Sequence, residues 1–345
     1  MDDTMRAVVL DRPGPVENLQ IRDLPVPEPR PGWVRIKVMA FGLNRSELHT
    51  RLGYAQGVTF PRVLGIEAVG VVDAAPDGDL VPGQQVATLM GGMGRVFDGG
   101  YAEYTVVPRG QVVPFTSELP WQVIGAVPET LQTAYGSLTT GLDLSAGQTL
   151  LVRGGTSSVG LAAITIAKDR DATVVATTRR PDRVQALLDH GADHVVVDDG
   201  AIADQVRARV GGGVDAALEL VGTPTLPDTL RATRVHGTVC FTGMLSNQWT
   251  VPDFYPIDYI PSGVRLTAYG GDSTDLPAAV LQSYLDRLAA DTASLGPIRV
   301  HRFDDIRAAH ADLEHNRTFG KHVVLTDPDG SLGSSAVPPR VPGGA

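Results

Sequence analysis

Cysteine is almost absent from this chain. Among 345 residues the only cysteine is Cys240. A single thiol excludes an intramolecular disulfide and any structural zinc site built from several cysteines. The eight histidines show no metal-ligand spacing, so we expect no bound metal. Aromatic residues make up 6% and charged residues 20%, which is typical of an ordinary globular protein rather than a disordered or fibrous one.

The sequence also lacks long apolar runs and basic stretches. No run of 18 apolar residues exists, which argues against a transmembrane helix. The first five residues have two Asp and no basic leader, unlike a secretory signal. The net charge is −10, with basic residues scattered singly or in pairs, which argues against binding to nucleic acid or an anionic membrane. We therefore expect a cytoplasmic protein whose partner is a small molecule.

The chain has two regions that differ in their pattern of apolar residues and turn residues. From Arg6 to about Pro114, short β-like runs are broken by Pro and Gly, which is typical of an all-β domain. From Leu150, strands and helices alternate in the βαβ rhythm of a parallel, doubly wound sheet.

The elements after Gly263 are expected to complete the first domain rather than to extend the doubly wound sheet. The predicted organisation is a β-rich domain at 1–120 and 268–326, a doubly wound domain at 121–267, and a disordered tail at 327–345.

A glycine-rich turn follows the first strand of the βαβ region. It reads Gly155-Thr156-Ser157-Ser158-Val159-Gly160, a variant of G-x-G-x-x-G with serine at the second glycine position. At such a turn, helix amides can hold a pyrophosphate, and the last glycine allows close packing of helix and strand. The alternative is a glycine-rich turn without a ligand. The flanking strand and helix favour a dinucleotide site.

The end of the second strand indicates which dinucleotide binds. NAD-binding versions tend to place an acidic residue there. This chain instead has two hydroxyl and three guanidinium groups, which match a 2′-phosphate: Thr177, Thr178, Arg179, Arg180 and Arg183. The alternative is a solvated basic helix start, although basic residues are unfavourable there without a bound anion. We predict NADPH over NADH, and we expect Asp182 to cap the helix.

Further motifs occur at 42–48 (GLNRSEL), 51–54 (RLGY), 65–70 (GIEAVG), 98–104 (DGGYAEY) and 133–135 (TAY). With these motifs, the chain over about residues 5–326 resembles the medium-chain dehydrogenase/reductase superfamily. The resemblance implies an α/β fold in which a Rossmann doubly wound parallel sheet domain is inserted in a β-rich GroES-like domain. It also implies a homodimer paired through the strand at 264–270.

Zinc alcohol dehydrogenases of this superfamily carry Cys where Asn44 stands and His where Ile66 stands. Neither Asn nor Ile replaces a thiolate or an imidazole as a zinc ligand. The segment Asn44-Arg45-Ser46-Glu47 instead resembles the quinone oxidoreductase and enoyl reductase branch. That branch transfers hydride from nicotinamide to an enone, an enoyl thioester or a quinone without zinc.

The resemblance also suggests residues for this chemistry. A developing enolate needs a hydrogen-bond donor at its oxygen or an acid near its α-carbon. Tyr54 aligns, within a one-residue gap, with the tyrosine that enoyl reductases of this branch use, and packing on the cleft rim is the alternative. Asn44 is expected to line the nicotinamide and ribose pocket, with a role in a turn as the alternative. Arg51 is expected to pair with Glu67, with an anionic substrate as the alternative.

The remaining predicted contacts lie in the doubly wound domain. Thr133 is carried over from the family as a nicotinamide-side contact. Residues after the fourth and fifth strands should lie in the crevice at the carboxyl ends of the strands, namely Val221, Gly222, Thr242 and Gly243. Two loops are expected to face the substrate: a glycine-rich, flexible one at 91–100, and one at 245–259 that carries Trp249, Phe254 and Tyr255.

The predicted function is NADPH-dependent hydride delivery, without zinc, to an activated C=C bond or a quinone. The C=C bond would belong to an enone, an enal, an enoyl group or a biosynthetic polyketide-type intermediate. One alternative is a non-catalytic NADPH-binding or redox-sensing protein. Another is a pathway enzyme that uses this scaffold for a reaction without net reduction.

Overall fold

The computed structural model describes residues 4–315 and 319–326, so the predicted tail at 327–345 lies outside the described residues. The chain forms two compact units. Among the described residues, the first contains 4–88, Gly92–Ala126, 297–315 and 319–326. The second contains Leu89–Gly91 and Val127–Gly296. Within the described ranges, every helix is too short or too polar to cross a bilayer.

The strands and helices follow in chain order. The strands are β1 (Thr4–Leu10), β2 (Leu19–Pro25), β3 (Trp33–Gly42), β4 (Arg62–Val63), β5 (Glu67–Ala74), β6 (Gln85–Leu89), β7 (Tyr104–Pro108), β8 (Val112–Pro114), β9 (Thr149–Arg153), β10 (Thr173–Thr178), β11 (His194–Val197), β12 (Val214–Glu219), β13 (Thr233–Phe241), β14 (Arg265–Ala268), β15 (Ile298–Arg302) and β16 (Lys321–Leu325). The α-helices are α1 (Arg45–Leu52), α2 (Trp121–Ile124), α3 (Pro128–Gly136), α4 (Ser158–Asp169), α5 (Val184–Asp189), α6 (Ala203–Val210), α7 (Leu226–Ala232), α8 (Pro256–Tyr259), α9 (Ala278–Ala289) and α10 (Ile306–Glu314). Short 3-10 turns lie at Val16–Asn18, Arg109–Gln111, Pro181–Arg183 and Phe303–Asp305, and a π-helical turn at Ser137–Gly141.

The first unit is built on two sheets. In the smaller sheet, β1 lies between β2 and β4 and is antiparallel to both. The larger sheet has the order β15-β16-β3-β5-β6-β8, and β7 also pairs with β3. The core between these elements is mainly aliphatic, and it includes a Phe41 ring stacked on Tyr101 with centroids 4.5 Å apart. The strands β15 and β16 show that the described residues from Pro297 to Thr326 return to this unit.

The second unit contains a six-stranded sheet in the order β11-β10-β9-β12-β13-β14, in which every paired strand is parallel. The strand order reverses direction beside β9, the first strand of the βαβ series, so a crevice opens at its carboxyl end. The central residues of β9, β10 and β12 are apolar and buried, because both faces of the sheet are covered there. The predicted doubly wound parallel sheet is therefore confirmed.

The structure corrects the prediction for the segment after Gly263. We expected this segment to complete the first domain, but β14 pairs in parallel with β13, from Thr238 opposite Arg265 to Phe241 opposite Ala268. The second unit then continues through α9 to Gly296. The crossover into β14 contains only the four-residue α8, so the sequence shows no amphipathic helix that would mark a further βαβ step.

Candidate active site

The predicted phosphate turn joins β9 to the twelve-residue helix α4. Ser157 caps this helix, because its Oγ accepts a hydrogen bond from the backbone N–H of Gly160 at 3.1 Å. The same hydroxyl donates to the carbonyl of Gly154 at 2.8 Å. Serine at the second glycine position thus closes the turn internally. The backbone N–H groups of Ser158 and Val159 lie in the first turn of α4, where no carbonyl of the helix can accept from them. Both residues are partly exposed, and an anion site at a helix start requires such exposure.

Gly160 has no room for a side chain. A Cβ at this position would lie 2.6 Å from the carbonyl oxygen of Gly154 and 2.9 Å from Cα of Gly155. These neighbours are backbone atoms, so the turn itself would have to move. The close approach of α4 to the turn after β9, which the glycine pattern predicts, is therefore present.

The arginines after β10 are not equivalent. Arg180 makes a two-pronged ion pair with Asp182, with Nε 3.0 Å and Nη2 2.6 Å from its carboxylate oxygens. The hydrogen bond from this guanidinium lowers the pKa of Asp182. Burial and the charge of Arg180 lower the pKa of Arg183. Thr178 accepts a hydrogen bond through Oγ1 from the backbone N–H of Arg180 at 3.1 Å. Thr178 and the arginines thus lie together at the end of one strand.

The prediction that Asp182 caps a helix is wrong. Pro181 begins a 3-10 turn that places Asp182 inside the turn, and Arg183 occupies the cap position of α5. The carboxylate consequently turns towards Arg180.

Sequence reasoning missed two charged residues at the carboxyl edge of this sheet. Arg153, the last residue of β9, is fully buried and donates to both oxygens of Asp198 at 2.8 and 2.9 Å and to Asp228 at 2.8 Å. Glu219, the last residue of β12, accepts through Oε1 from the amides of Val221 and Gly222 at 2.7 and 3.1 Å. Glu219 therefore holds the turn that was predicted to contact the cofactor. A charged residue at the carboxyl end of a mainly apolar strand was the available signal in both cases.

The remaining predicted residues of the second unit differ in their hydrogen-bond partners and in their exposure. Thr242 and Gly243 follow β13, and their amides donate to the carbonyl of Glu219 at 3.0 and 3.1 Å. Thr133 lies on α3 and donates through Oγ1 to Glu129 at 3.0 Å. In the predicted aromatic loop Trp249 is half-buried, whereas Phe254 and Tyr255 are exposed.

Asn44 lies in a buried polar cluster of the first unit. Lys321 Nζ donates to Asn44 Oδ1 at 2.5 Å and to Glu67 Oε1 at 2.8 Å. The Asn44 amide nitrogen donates to the same Glu67 oxygen at 2.9 Å. Lys321 and Glu67 are only 3% and 1% exposed, so the pair is shielded from water. The orientation of the Asn44 amide is thus determined by a strand that lies almost at the other end of the sequence.

Glu47 adds a second carboxyl group to this cluster. It accepts from the backbone N–H of Asn44 at 3.0 Å and from that of Ile66 at 2.9 Å. Burial is the largest influence on this carboxyl group and raises its pKa to about 7, with a contribution from the charge of Glu67. Glu47 therefore changes charge close to neutral pH.

The predicted pair between Arg51 and Glu67 is wrong. The buried Arg51 guanidinium pairs with Glu314 at 2.5 Å and donates to the carbonyl of Gly14 at 2.7 Å. Arg51 lies in the last turn of α1, whereas Glu67 begins β5 close to the first turn of α1. Glu67 instead pairs with the ammonium group of Lys321.

Tyr54 and Asn44 lie at opposite ends of α1. This helix has eight residues, or about 12 Å of length. Asn44 precedes its first turn, whereas Tyr54 follows Gly53, which ends the helix with a φ of 83°. The Tyr54 side chain is 50% exposed, and its ring centroid is 6.1 Å from that of His49. Its phenol is thus accessible, as a proton donor must be.

The glycine-rich loop at 91–100 uses its glycines for close packing. A Cβ on Gly94 or on Gly99 would lie 2.7 or 2.2 Å from the carbonyl oxygen of Gly65. We predicted a flexible loop from the glycine content, whereas the structure shows that these glycines let the loop lie directly against residues 64–65.

The comparisons with known proteins agree with this architecture. Residues 30–117 match the family described as alcohol dehydrogenase GroES-like domain, and residues 158–281 match the family described as zinc-binding dehydrogenase. The chain is 27% identical over 333 residues to a probable quinone oxidoreductase of Schizosaccharomyces pombe, and the alignment covers 93% of this chain and 97% of that protein. It is 30% identical over 246 residues to the quinone oxidoreductase of Homo sapiens, covering 69% and 73%.

Solved structures give the same fold. Mycobacterial Rv1454c, in a structure described as complexed with NADPH, superposes with a TM-score of 0.82 at 26% identity and covers 93% of this chain and 100% of that one. An NAD-dependent alcohol dehydrogenase superposes with a TM-score of 0.83 at 28% identity, covering 94% and 100%. The predicted GroES-like and Rossmann domains are thus confirmed. The chain belongs to the medium-chain dehydrogenase/reductase superfamily and, within it, to the quinone oxidoreductase and enoyl reductase-like branch of oxidoreductases.

Proposed function

We propose that this oxidoreductase uses NADPH to reduce an activated C=C bond or a quinone without zinc. The observation that carries the zinc-free chemistry is the contact between Lys321 and Asn44. An ammonium group 2.5 Å from Asn44 Oδ1 puts a positive charge beside the position where zinc enzymes of the superfamily have a cysteine ligand. A divalent cation beside this ammonium would be repelled, and neither Asn44 nor Ile66 offers it a thiolate or an imidazole.

The choice of NADPH rests on the end of β10. Asp182 is engaged by Arg180, so it is a poor partner for the ribose hydroxyls that an NAD site must hold. Arg179 and Arg183 flank this pair and match a 2′-phosphate. The NADPH complex of Rv1454c supports the proposal. The alcohol dehydrogenase of the same fold is described as NAD-dependent, so the fold alone does not select the cofactor.

Each group of residues has a proposed task. NADPH, when bound, supplies the hydride. The amides of Ser158 and Val159 hold its diphosphate, and the arginines after β10 hold its 2′-phosphate. The exposed Tyr54 phenol gives a proton to the α-carbon of the acceptor after hydride arrives at the β-carbon. In a quinone, the corresponding proton goes to oxygen.

The test begins with NADPH absorbance in the presence of enones, enals and quinones, with NADH in parallel and a chelator in one arm. We expect chelator-insensitive oxidation of NADPH. The double variant Arg179→Ala/Arg183→Ala should lower kcat/KM for NADPH about tenfold or more per arginine, because each charged hydrogen bond contributes about 1.5 kcal/mol or more. The kcat/KM for NADH should stay unchanged, because NADH has no 2′-phosphate.

The matched control is Arg209→Ala, an exposed arginine at the end of α6, which should leave both cofactors unaffected. Equal binding of NADPH and NADH by the wild type would contradict the cofactor proposal. If NADPH binds but no acceptor is reduced, a redox-sensing role or a reaction without net reduction replaces the reductase.

We also propose a homodimer that forms through β14. This strand is the last in its sheet, and an edge strand offers unpaired backbone groups to a second copy. A monomer mass in light-scattering chromatography would rule this dimer out.

A further inference from the structure

Arg95 is a partly buried arginine without an acidic partner. Its Nη2 donates to Ser46 Oγ at 2.5 Å, and its Nε is shielded from solvent with no hydrogen-bond acceptor. Across residues 4–315 and 319–326, no carboxylate pairs with it. Arg51 and Arg62 also have a shielded Nε, but each has a carboxylate on another nitrogen. A guanidinium N–H that is shielded from water and has no acceptor is costly, because its hydration is lost without replacement.

Ser46 extends the same feature. It lies in the first turn of α1, two residues after Asn44, and its oxygen accepts the hydrogen bond from Arg95. Within the described ranges, the Ser46 hydroxyl has no acceptor of its own. A hydroxyl that accepts from a guanidinium is polarised and becomes a stronger donor. Arg95 Nε and the Ser46 hydroxyl are therefore two neighbouring donor groups that have no acceptor among the described residues.

The loop geometry holds the Arg95 backbone in place. The carbonyl of Gly92 accepts from the amides of Arg95 and Val96 at 3.1 and 2.7 Å, which forms a tight turn. The preceding Gly94 contacts the backbone of Gly65. Donors that are fixed before charge develops are what stabilisation of a transition-state oxyanion requires.

We propose that Arg95 and the Ser46 hydroxyl bind the carbonyl oxygen of the acceptor and stabilise the negative charge that develops on it. This inference rests on the proposed reductase function and deepens it, because it defines the acceptors as conjugated carbonyl compounds or quinones. Hydride adds with its electron pair to the β-carbon, and the π pair of the C=C bond moves to give an enolate. The charge on the enolate oxygen lies against Arg95 and Ser46. Protonation of the α-carbon by the Tyr54 phenol restores the carbonyl group, and the phenolate regains its proton from water. The bound NADPH would supply only the hydride.

The experiment combines turnover with a binding probe that needs no turnover. The variants are Arg95→Met, Arg95→Lys and Ser46→Ala, and the control is Arg109→Met, an arginine paired with Asp79 at another place in the first unit. The probe is 4-nitrophenol, whose anion carries a delocalised oxyanion and is visible by its colour. Its affinity is titrated above and below its pKa, with and without NADP⁺.

We expect the wild type to prefer the nitrophenolate anion and Arg95→Met to bind it at least tenfold more weakly. We expect an intermediate loss in Arg95→Lys and none in Arg109→Met. With an active acceptor, Arg95→Met should lower kcat about 10²- to 10³-fold and leave the KM for NADPH unchanged. Ser46→Ala should show a smaller loss of both quantities, and it serves as the test if Arg95→Met does not fold.

The outcomes separate this inference from the proposed function. Equal nitrophenolate affinity in the wild type, Arg95→Met and Ser46→Ala overturns the oxyanion site, whether or not an acceptor is reduced. An unchanged kcat in these variants also overturns it while the reductase function stands. If no acceptor oxidises NADPH but nitrophenolate binding depends on Arg95, the oxyanion site is supported and the reductase function fails.

Discussion

Replacing Lys321 by Met removes the ammonium group from the buried cluster around Asn44. The substitution keeps most of the aliphatic volume of the side chain. It leaves Glu67, which is 1% exposed, without the charge that lies 2.8 Å away. It also removes the donor to Asn44 Oδ1.

Breaking one side of a buried ion pair costs about 3 to 5 kcal/mol, because the remaining charge is not solvated. For a unit of this size, that loss lowers the melting temperature by roughly 6 to 20 °C. The assay is thermal and urea unfolding of the wild type and of Lys321→Met. The matched control is Lys168→Met, since Lys168 and Asp193 make a pair of the same length, 2.8 Å, but are 36% exposed. An exposed pair is worth about 0 to 1 kcal/mol.

The double variant Lys321→Met/Glu67→Gln should recover much of the lost stability, because no uncompensated carboxylate remains. Unfolding of Lys321→Met at the same temperature as Lys168→Met would refute the reasoning. A double variant less stable than Lys321→Met would refute it equally.

Two further predictions concern Glu47 and the phosphate turn. The pKa of Glu47 is raised from its usual 4.5 to about 7. Between these two pH values the folded protein binds a proton at Glu47 that the unfolded chain releases. The free energy of unfolding therefore falls as the pH rises from 4.5 to 7. Glu47→Gln should therefore gain about 3 kcal/mol relative to the wild type between pH 4 and pH 8, whereas parallel stability profiles in urea unfolding would disprove the shift. Gly160→Ala should weaken binding of the nicotinamide cofactor at least tenfold, since its Cβ would lie 2.6 Å from the carbonyl oxygen of Gly154. Gly110→Ala, where the Cβ meets nothing within 4 Å, is the control, and equal affinity of the two variants by fluorescence titration would contradict the steric argument.

Local patterns made much of the second unit predictable. The apolar strand before Gly154, the glycine-rich turn and the amphipathic stretch of α4 lie within about twenty consecutive residues, so their period and spacing are visible in the sequence. The basic stretch after β10 is equally local. In contrast, β14 has four residues and follows a four-residue helix, which is too little periodic sequence to assign it to either sheet.

The charge pairs could not be predicted because their members are distant in sequence. Lys321 and Glu67 are 254 positions apart, and nothing near either residue identifies the other. Arg51 was expected to pair with Glu67, but the direction of α1 carries its guanidinium to Glu314, 263 positions later. Arg153 was read as part of a strand, because its two carboxylate partners lie 45 and 75 positions later.

The position of Lys321 also has a consequence for synthesis of the protein. Asn44 and Glu67 leave the ribosome early, yet the lysine that orients them follows Asn44 by 277 residues. At about 5 to 20 residues per second, that interval lasts roughly 15 to 55 seconds. Most of the second unit is contiguous and can fold during this interval. Glu47 and Glu67, the two carboxyl groups beside Asn44, have no Lys321 ammonium group to pair with until its synthesis. The second unit can therefore fold before the Asn44 cluster is complete, and the Asn44 amide lacks its Lys321 donor until β16 is in place.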